Sequence, residues 1–194
     1  MTVRLIAIGG SWGGVDATCR LLRSLEPPLP VPVLLVLHRS RASEASLLER
    51  VLTRDTGHRA SELGDKDELT PGTVHLAPPD YHVLVEGGPV VHTVSLSVDE
   101  MVNHSRPSVD LAFETAADEI GDGVVAVLLS GLGRDGSRGM VAVHRAGGHT
   151  LVQDPDEAER SEMPLAAIAT GEVDEVLPLA GLGARISALV GEAS

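Results

Sequence analysis

Short runs of apolar residues alternate along most of the chain with segments of helical periodicity. The runs that predict buried strands are 3–8, 31–37, 123–130, 149–154 and 174–179. The segments that predict helices are 15–25, 43–54, a stretch after 106–110, 138–146, 163–170 and the C-terminal residues. Ser43 is the expected N-cap of the second helix. Regular alternation of strand and helix predicts a parallel sheet with helices on both faces.

The middle of the chain departs from this alternation. Residues 73–96 hold short β-rich runs broken by Pro-Pro and Gly-Gly, a pattern typical of antiparallel hairpins. Neither a repeat nor a linker divides the sequence, so we expect residues 1–194 to form a single domain. The predicted fold class is α/β: a three-layer, Rossmann-like domain with a mostly parallel sheet and a β-hairpin excursion in the middle.

The composition limits the type of core, the classes of binding partner and the cellular compartment that we expect. Hydrophobic residues make up 43% of the chain but only Trp12, Tyr81 and Phe113 are aromatic, so we expect an aliphatic core. A net charge of −13 argues against a general nucleic-acid binder, which needs a basic face. We expect no membrane span and no secretory signal. The lone cysteine, Cys19, is expected to be buried in the first helix and favours a cytoplasmic protein.

Three loops rich in chemical groups follow predicted strands. GGSWGG follows the first strand, HRSR the second, and SGLGRDGSRG the strand over 123–130. The carboxyl ends of parallel strands share one edge of a sheet, so these loops are expected to meet. A fourth polar segment, NHSRPSVD, holds His104 and Asp110, which we expect to anchor a loop and to cap the next helix.

The first of these loops suggests three chemistries. A P-loop is excluded, because no lysine followed by serine or threonine comes after the glycines. A dinucleotide fingerprint would use Gly9, Ser11 and Gly14, but a serine stands where the central glycine belongs. The acidic residue that binds ribose is also missing, which would leave Arg39 and Arg41 to meet a 2′-phosphate. The loop instead matches G-x-S-x-G, the strand–turn–helix elbow that exposes a serine hydroxyl.

A serine is a weak nucleophile until a base takes its proton, and the other two loops hold suitable groups. His38 ends the second strand, and Asp135 lies in the loop after 123–130. Each of the two, taken singly, is better explained by a structural role. Their joint placement at one edge makes a triad with Ser11 as well supported as those structural roles.

A metal centre is the weaker alternative. Neither His75 and His82 nor His144 and His149 have helical spacing with a carboxylate, and the motif H-E-x-x-H is absent from the sequence. We therefore expect neither a metal nor another cofactor.

The chain contains, in this order, the segments IGGSWGGVDA, PGTVHLAPPDYH, NHSRPSVD, SGLGRDGSRGM and MPLAAIATGEVDEVLPL. These five segments resemble the catalytic domain of the bacterial chemotaxis protein-glutamate methylesterases. Several motifs in the family's order are far more specific than G-x-S-x-G alone, and the likeness extends over nearly the whole chain.

The resemblance implies a reaction and its residues. Ser11 would be the nucleophile, His38 the base and Asp135 the orienting carboxylate. The substrates would be glutamyl methyl esters on the cytoplasmic helices of chemoreceptors, with release of methanol and related deamidation of glutamines. We expect an oxyanion hole and substrate groove formed by Trp12, Gly13, Leu132 and Gly133.

Arginines near the proposed triad suggest a basic mouth on an acidic protein. The four that we expect to bind an acidic receptor helix, with Arg106 nearby, are Arg39, Arg41, Arg134 and Arg138. The alternative, equally supported by the sequence, is that they pair with some of the 28 acidic residues.

The chain departs from the family pattern in several places. Trp12 replaces the small residue that usually follows the serine, Leu37 replaces a glutamine before the histidine, and Leu132 replaces a methionine. The family's receiver domain is not found in these residues, so a separate receiver or regulator protein is an expected partner. Trp12 and this difference leave a second reading open: a methylesterase-like binding or signalling module with little catalysis.

Overall fold

The computed structural model describes residues 2–39, 45–88 and 91–191, with the side chains of residues 45 and 46 left out. Its nine strands are β1 (Leu5–Gly10), β2 (Val33–Leu37), β3 (Arg59–Glu62), β4 (Thr73–Leu76), β5 (His82–Glu86), β6 (Thr93–Ser97), β7 (Val124–Leu128), β8 (His149–Gln153) and β9 (Glu175–Leu177). Seven of them form one sheet in the order β3-β4-β2-β1-β7-β8-β9, and every neighbouring pair is parallel. The predicted parallel sheet is confirmed.

The helices cover both faces of this sheet. They are α1 (Gly14–Arg23), α2 (Ala45–Thr56), α3 (Val109–Ile120), α4 (Ser137–Arg145), α5 (Glu162–Ile168) and α6 (Leu179–Gly191). Successive strand residues point to opposite faces: Ile6 and Ile8 pack with α1, α2 and α6, whereas Leu5 and Ala7 pack with α3, α4 and α5. The three-layer α/β fold class is therefore confirmed. Ser43, the expected N-cap of α2, lies outside the described residues.

The middle of the chain differs in part from the prediction. Strands β5 and β6 form the expected antiparallel hairpin, which packs on α3. Strand β4 instead joins the main sheet between β2 and β3, and β3 was not predicted. The four-residue segment of β3, Arg-Ala-Ser-Glu, lacks both an apolar run and apolar alternation, because it is an edge strand whose residues are only partly buried.

The order of the strands determines where on the sheet a ligand site is expected. The chain builds outward from β1 through β2 on one side and returns through β7 on the other, so the crevice between β1 and β7 is a topological switch point. Loops that follow β1, β2 and β7 therefore open at the position where α/β sheets bind their ligands. Within the described ranges, no helix is both long enough and apolar enough to cross a membrane.

Candidate active site

Backbone hydrogen bonds join the three loops at the carboxyl edge of the sheet. Gly10, the last residue of β1, pairs with Leu37, the last residue of β2. One residue further, the His38 N–H donates to the Gly10 carbonyl at 3.1 Å, and the Ser11 N–H donates to the Ser130 carbonyl at 3.0 Å. The convergence expected from a parallel sheet is present.

Ser11 lies on a tight turn between β1 and α1. The turn needs glycine at Gly13, whose φ of 76° is in the left-handed region, and α1 begins at the next residue. Ser11 is half-buried, and the described residues provide no acceptor for the N–H groups of Trp12 and Gly13. These N–H groups at a helix N-terminus are available to an oxyanion that develops beside Ser11.

Gly131 allows the third loop to approach the serine closely. A side chain there would collide with Met163 and place its Cβ 2.9 Å from the Cβ of Ser11. The next two residues, Leu132 and Gly133, are exposed, and neither of their N–H groups has an acceptor among the described residues. Of the four residues expected at the oxyanion hole or groove, Trp12 and Gly13 therefore lie on the turn of Ser11, and Leu132 and Gly133 lie on the loop after β7.

His38 and Asp135 form a close pair. The Nε2 atom of His38 lies 2.8 Å from Oδ2 of Asp135, and the side chains are 16% and 2% exposed. A carboxylate so placed fixes the orientation of the ring and stabilises an imidazolium. Because Asp135 contacts Nε2, the ring nitrogen left for chemistry is Nδ1.

The carboxylate of Asp135 receives several further hydrogen bonds. The N–H of Val109 donates to Oδ2 at 2.7 Å, and the Ser108 hydroxyl and the N–H of Asp110 donate to Oδ1 at 2.8 and 3.1 Å. Burial alone would raise the pKa of Asp135, but the His38 hydrogen bond and charge and these backbone N–H groups outweigh it and lower the pKa below its usual value. Asp135 is therefore ionised at neutral pH.

The segment NHSRPSVD contributes more to the site than the sequence predicted. The side-chain amide of Asn103 donates to Asp110 at 2.8 Å and to Asp135 at 3.4 Å. The Ser105 hydroxyl lies 3.2 Å from Nδ1 of His38. Neither residue was singled out, because neither carries a sequence signal: nothing in the pattern predicts that residues so far along the chain reach the second loop.

Asp110 caps a different helix from the one we expected. The N-cap of α3 is Ser108, and Asp110 instead accepts hydrogen bonds from the N–H groups of Arg138 and Gly139, both at 2.9 Å, at the start of α4. Asp135, just before α4, accepts from the start of α3 in return. A carboxylate near the start of each helix thus accepts hydrogen bonds from the N-terminus of the other helix, and these bonds hold Asp135 in place.

Trp12 is exposed on the turn that follows Ser11. The residue is 56% exposed, its indole N–H donates to Glu159 Oε1 at 2.7 Å, and the Arg160 guanidinium lies 5.8 Å from its ring centroid. Its carbonyl accepts from the Ser130 hydroxyl at 2.8 Å. The ring is held beside the serine and does not fill the core.

Most of the arginines expected at a basic mouth are paired with acids. The side chain of Arg39 is 7% exposed and forms an ion pair with Glu62 at 2.8 Å, and Arg106 forms one with Asp80 at 2.8 Å. Arg138 contacts Asp110 at 3.2 Å. Arg134 is exposed and forms neither an ion pair nor a side-chain hydrogen bond within the described part of the chain, whereas Arg41 lies outside it.

No group of three or more His, Cys, Asp or Glu side chains in the described ranges is arranged to hold a metal ion. Cys19 is buried in α1 as expected, and desolvation raises the pKa of its thiol.

Comparison with known proteins points to one family. The profile of the CheB methylesterase family matches residues 6–186. The crystal structure of the Thermotoga maritima CheB methylesterase catalytic domain superimposes with a TM-score of 0.91 at 27% identity, covering 99% of this chain and 100% of that one.

Two curated relatives carry the name protein-glutamate methylesterase/protein-glutamine glutaminase. The one from Nitrosomonas europaea is 38% identical over 191 residues, which cover 98% of this chain and 53% of the relative. The one from Leptospira interrogans is 37% identical over 179 residues, which cover 92% of this chain and 91% of the relative. The chain thus spans about half of one relative and nearly all of the other, and the resemblance noted in the sequence is confirmed.

Proposed function

The chain belongs to the CheB methylesterase family, and from this membership and the geometry at the sheet edge we propose that it is a serine esterase. Its substrates are glutamyl methyl esters on chemoreceptors, and receptor glutamines are deamidated at the same site. The observation that carries the proposal is the contact of 2.8 Å between His38 and Asp135. His38 directly follows the end of β2, which pairs with the end of β1, and Ser11 directly follows the end of β1.

The proposed reaction assigns one step to each of these groups. The Ser11 oxygen attacks the ester carbonyl while Nδ1 of His38 takes its proton, and the carbonyl oxygen becomes an oxyanion. The N–H group of Trp12, on the turn of Ser11, and that of Leu132, on the loop after β7, stabilise that charge. His38 then protonates the departing methoxide, methanol leaves, and a water activated by the same nitrogen hydrolyses the acyl-enzyme.

Asp135 supports the cationic form of the base throughout. It is 1% exposed and ionised, so its charge acts on His38 with little screening from solvent. Its other hydrogen bonds come from the start of α3 and hold the carboxylate still while the proton moves.

Trp12 forms one wall of the groove in this proposal. Glu159 and Arg160 hold the ring at its place beside the serine, so the space for the alcohol side of the ester is limited on that face. A methyl ester is the smallest alkyl ester and fits such a limit.

The proposed binding partner is a receptor helix rich in glutamate and glutamine. Arg134, which is exposed beside Asp135 and forms no ion pair within the described part of the chain, is proposed to meet its acidic side chains, whereas Arg39 and Arg138 already pair with acids. We propose a cytoplasmic enzyme regulated by a separate receiver protein.

Release of methanol from methylated chemoreceptor membranes tests the proposal. Membranes that carry labelled methyl esters are incubated with the wild type, with Ser11→Ala and with Ser97→Ala, which removes an exposed hydroxyl bonded to Asp99 on the hairpin. We expect release from the wild type and Ser97→Ala and at least a thousandfold loss in Ser11→Ala. Folded wild type that releases no methanol would support the binding-module reading instead.

A further inference from the structure

The turn Val102–Ser105 is built to present side chains to the catalytic pair. Val102 and Ser105 exchange backbone hydrogen bonds of 3.2 and 2.9 Å. The two residues between them, Asn103 and His104, have φ values of 49° and 63°, a conformation that side-chain-bearing residues rarely adopt. Backbone held in such regions concentrates at functional sites, where surrounding contacts maintain it. Here those contacts are Asn103 to Asp135 and Ser105 to His38.

The ring nitrogens of His38 have distinct roles in the resting protein. Asp135 is ionised and can only accept hydrogen bonds, so the Nε2 atom that it contacts carries the proton. When Nε2 alone carries a proton, the Nδ1 atom has one lone pair. The Ser105 hydroxyl, 3.2 Å away, donates a hydrogen bond to that lone pair.

This hydrogen bond occupies the atom that has to act as the base. In the described part of the chain, no hydrogen bond joins the Ser11 hydroxyl to either ring nitrogen, and Nδ1 cannot accept from both serines. The ring does not need Ser105 for its orientation, because Asp135 already fixes Nε2 and is itself held by the start of α3.

We propose that the Ser105 hydroxyl caps the general base in the resting enzyme and is exchanged for the Ser11 hydroxyl at the start of each turnover. The inference rests on the proposed function of Ser11 as nucleophile. A cavity of about 270 Å³ borders His38, His104 and Ser105, so the released hydroxyl turns toward water rather than into the protein core. The cap lowers the reactivity of Ser11 until a substrate stabilises the exchanged arrangement.

The rate of Ser11 labelling by a fluorophosphonate measures this exchange. In that reaction the Ser11 oxygen bonds to phosphorus, fluoride leaves, and the serine proton passes to Nδ1. A neutral hydrogen bond of this kind corresponds to a roughly twofold to tenfold effect, so Ser105→Ala is expected to label faster by that factor. Ser105→Thr keeps the hydroxyl and Ser97→Ala leaves the cap intact, so both are expected to label at the wild-type rate.

Nitrogen NMR of His38 gives a readout that does not depend on activity. The Nδ1 signal is expected to move toward that of a free imidazole lone pair in Ser105→Ala and to stay in place in Ser105→Thr and Ser11→Ala. An unchanged or slower labelling rate in Ser105→Ala, equal acceleration in Ser105→Thr, or an adduct on Ser105 would each overturn the cap. If the wild type forms no adduct on Ser11, the proposed function fails, and the nitrogen signals alone decide whether Ser105 caps the base.

Discussion

Replacing Asp135 by asparagine separates its catalytic contribution from its structural one. Oδ2 accepts from His38 Nε2 and the Val109 N–H, and Oδ1 accepts from the Ser108 hydroxyl and the Asp110 N–H. In an asparagine side chain one of these positions becomes an NH₂ group that faces donors. The Ser108 hydroxyl and the His38 ring can rearrange their protons, but a backbone N–H cannot. At least one buried N–H is left without an acceptor, which costs about 1–3 kcal/mol of stability.

The expected loss of rate is much larger than this loss of stability suggests. When an NH₂ group faces Nε2, the ring has to accept there and carry its proton on Nδ1, the nitrogen that should take the proton of Ser11. The imidazolium also loses its buried counter-charge. The corresponding substitution in a serine protease triad lowers kcat about 10⁴-fold through the wrong tautomer, and we expect a loss of roughly 10³- to 10⁴-fold for Asp135→Asn.

The assay combines kcat/KM on a methyl ester with urea unfolding, and Asp110→Asn is the matched control. Asp110 is equally buried and accepts backbone N–H groups at the start of α4, but it has no contact with His38. Asp110→Asn should therefore cost similar stability and less than tenfold in rate. A kcat/KM of Asp135→Asn within tenfold of the wild type would refute the assignment.

The pH dependence of unfolding provides a second check on the same substitution. The pKa of Asp135 is lower in the folded protein than the ordinary value near ~3.9, so its ionised form contributes stability above that pH. This contribution is lost as the pH falls through the lower, folded pKa. The difference in unfolding free energy between wild type and Asp135→Asn should therefore be largest near pH 7 and shrink below about pH 4. A difference that stays constant down to pH 2 would contradict the ionised carboxylate.

Three further substitutions test the groove around the serine. Trp12→Ala should change kcat/KM for a methyl ester by less than about tenfold and raise it for bulkier esters, because a wall of the groove is removed; an unchanged ratio across ester sizes would count against the wall. Arg134→Gln should flatten the fall of kcat/KM with rising salt on receptor membranes, and a wild-type rate independent of salt would remove the case for steering. Gly131→Ala places a methyl group against Ser11 and Met163. We therefore expect at least a hundredfold loss of rate or a loss of about 1–3 kcal/mol in unfolding free energy. Wild-type values of both the rate and the unfolding free energy would show that the loop can move away.

The sequence was most informative where strands end. Apolar runs located β1, β2 and β7, and parallel strands bring their carboxyl ends to one edge, so the convergence of Ser11, His38 and Asp135 followed from topology and the family resemblance. A short run such as Thr73–Leu76 does not reveal its partner strand, which is why β4 was expected in a hairpin and lies in the main sheet instead.

Contacts between side chains that are distant along the chain could not be predicted from the sequence. Asp110 lies within α3 but caps α4, because the two helices pack together at their N-termini. Ser105 contacts His38 at the end of a turn in which two non-glycine residues, Asn103 and His104, adopt left-handed backbone. The pairing of Arg39 with Glu62 joins the second loop to an edge strand that no pattern predicted.

The proposed function requires that Ser11 becomes acylated during hydrolysis of a glutamyl methyl ester. The direct measurement is the mass of the Ser11 peptide after rapid acid quench of the enzyme with a peptide that carries such an ester. We expect an acyl adduct on Ser11 that forms as methanol is released, decays in the wild type and is absent from Ser11→Ala. Methanol release at the wild-type rate from Ser11→Ala, or an adduct on another residue, would rule out this role of Ser11.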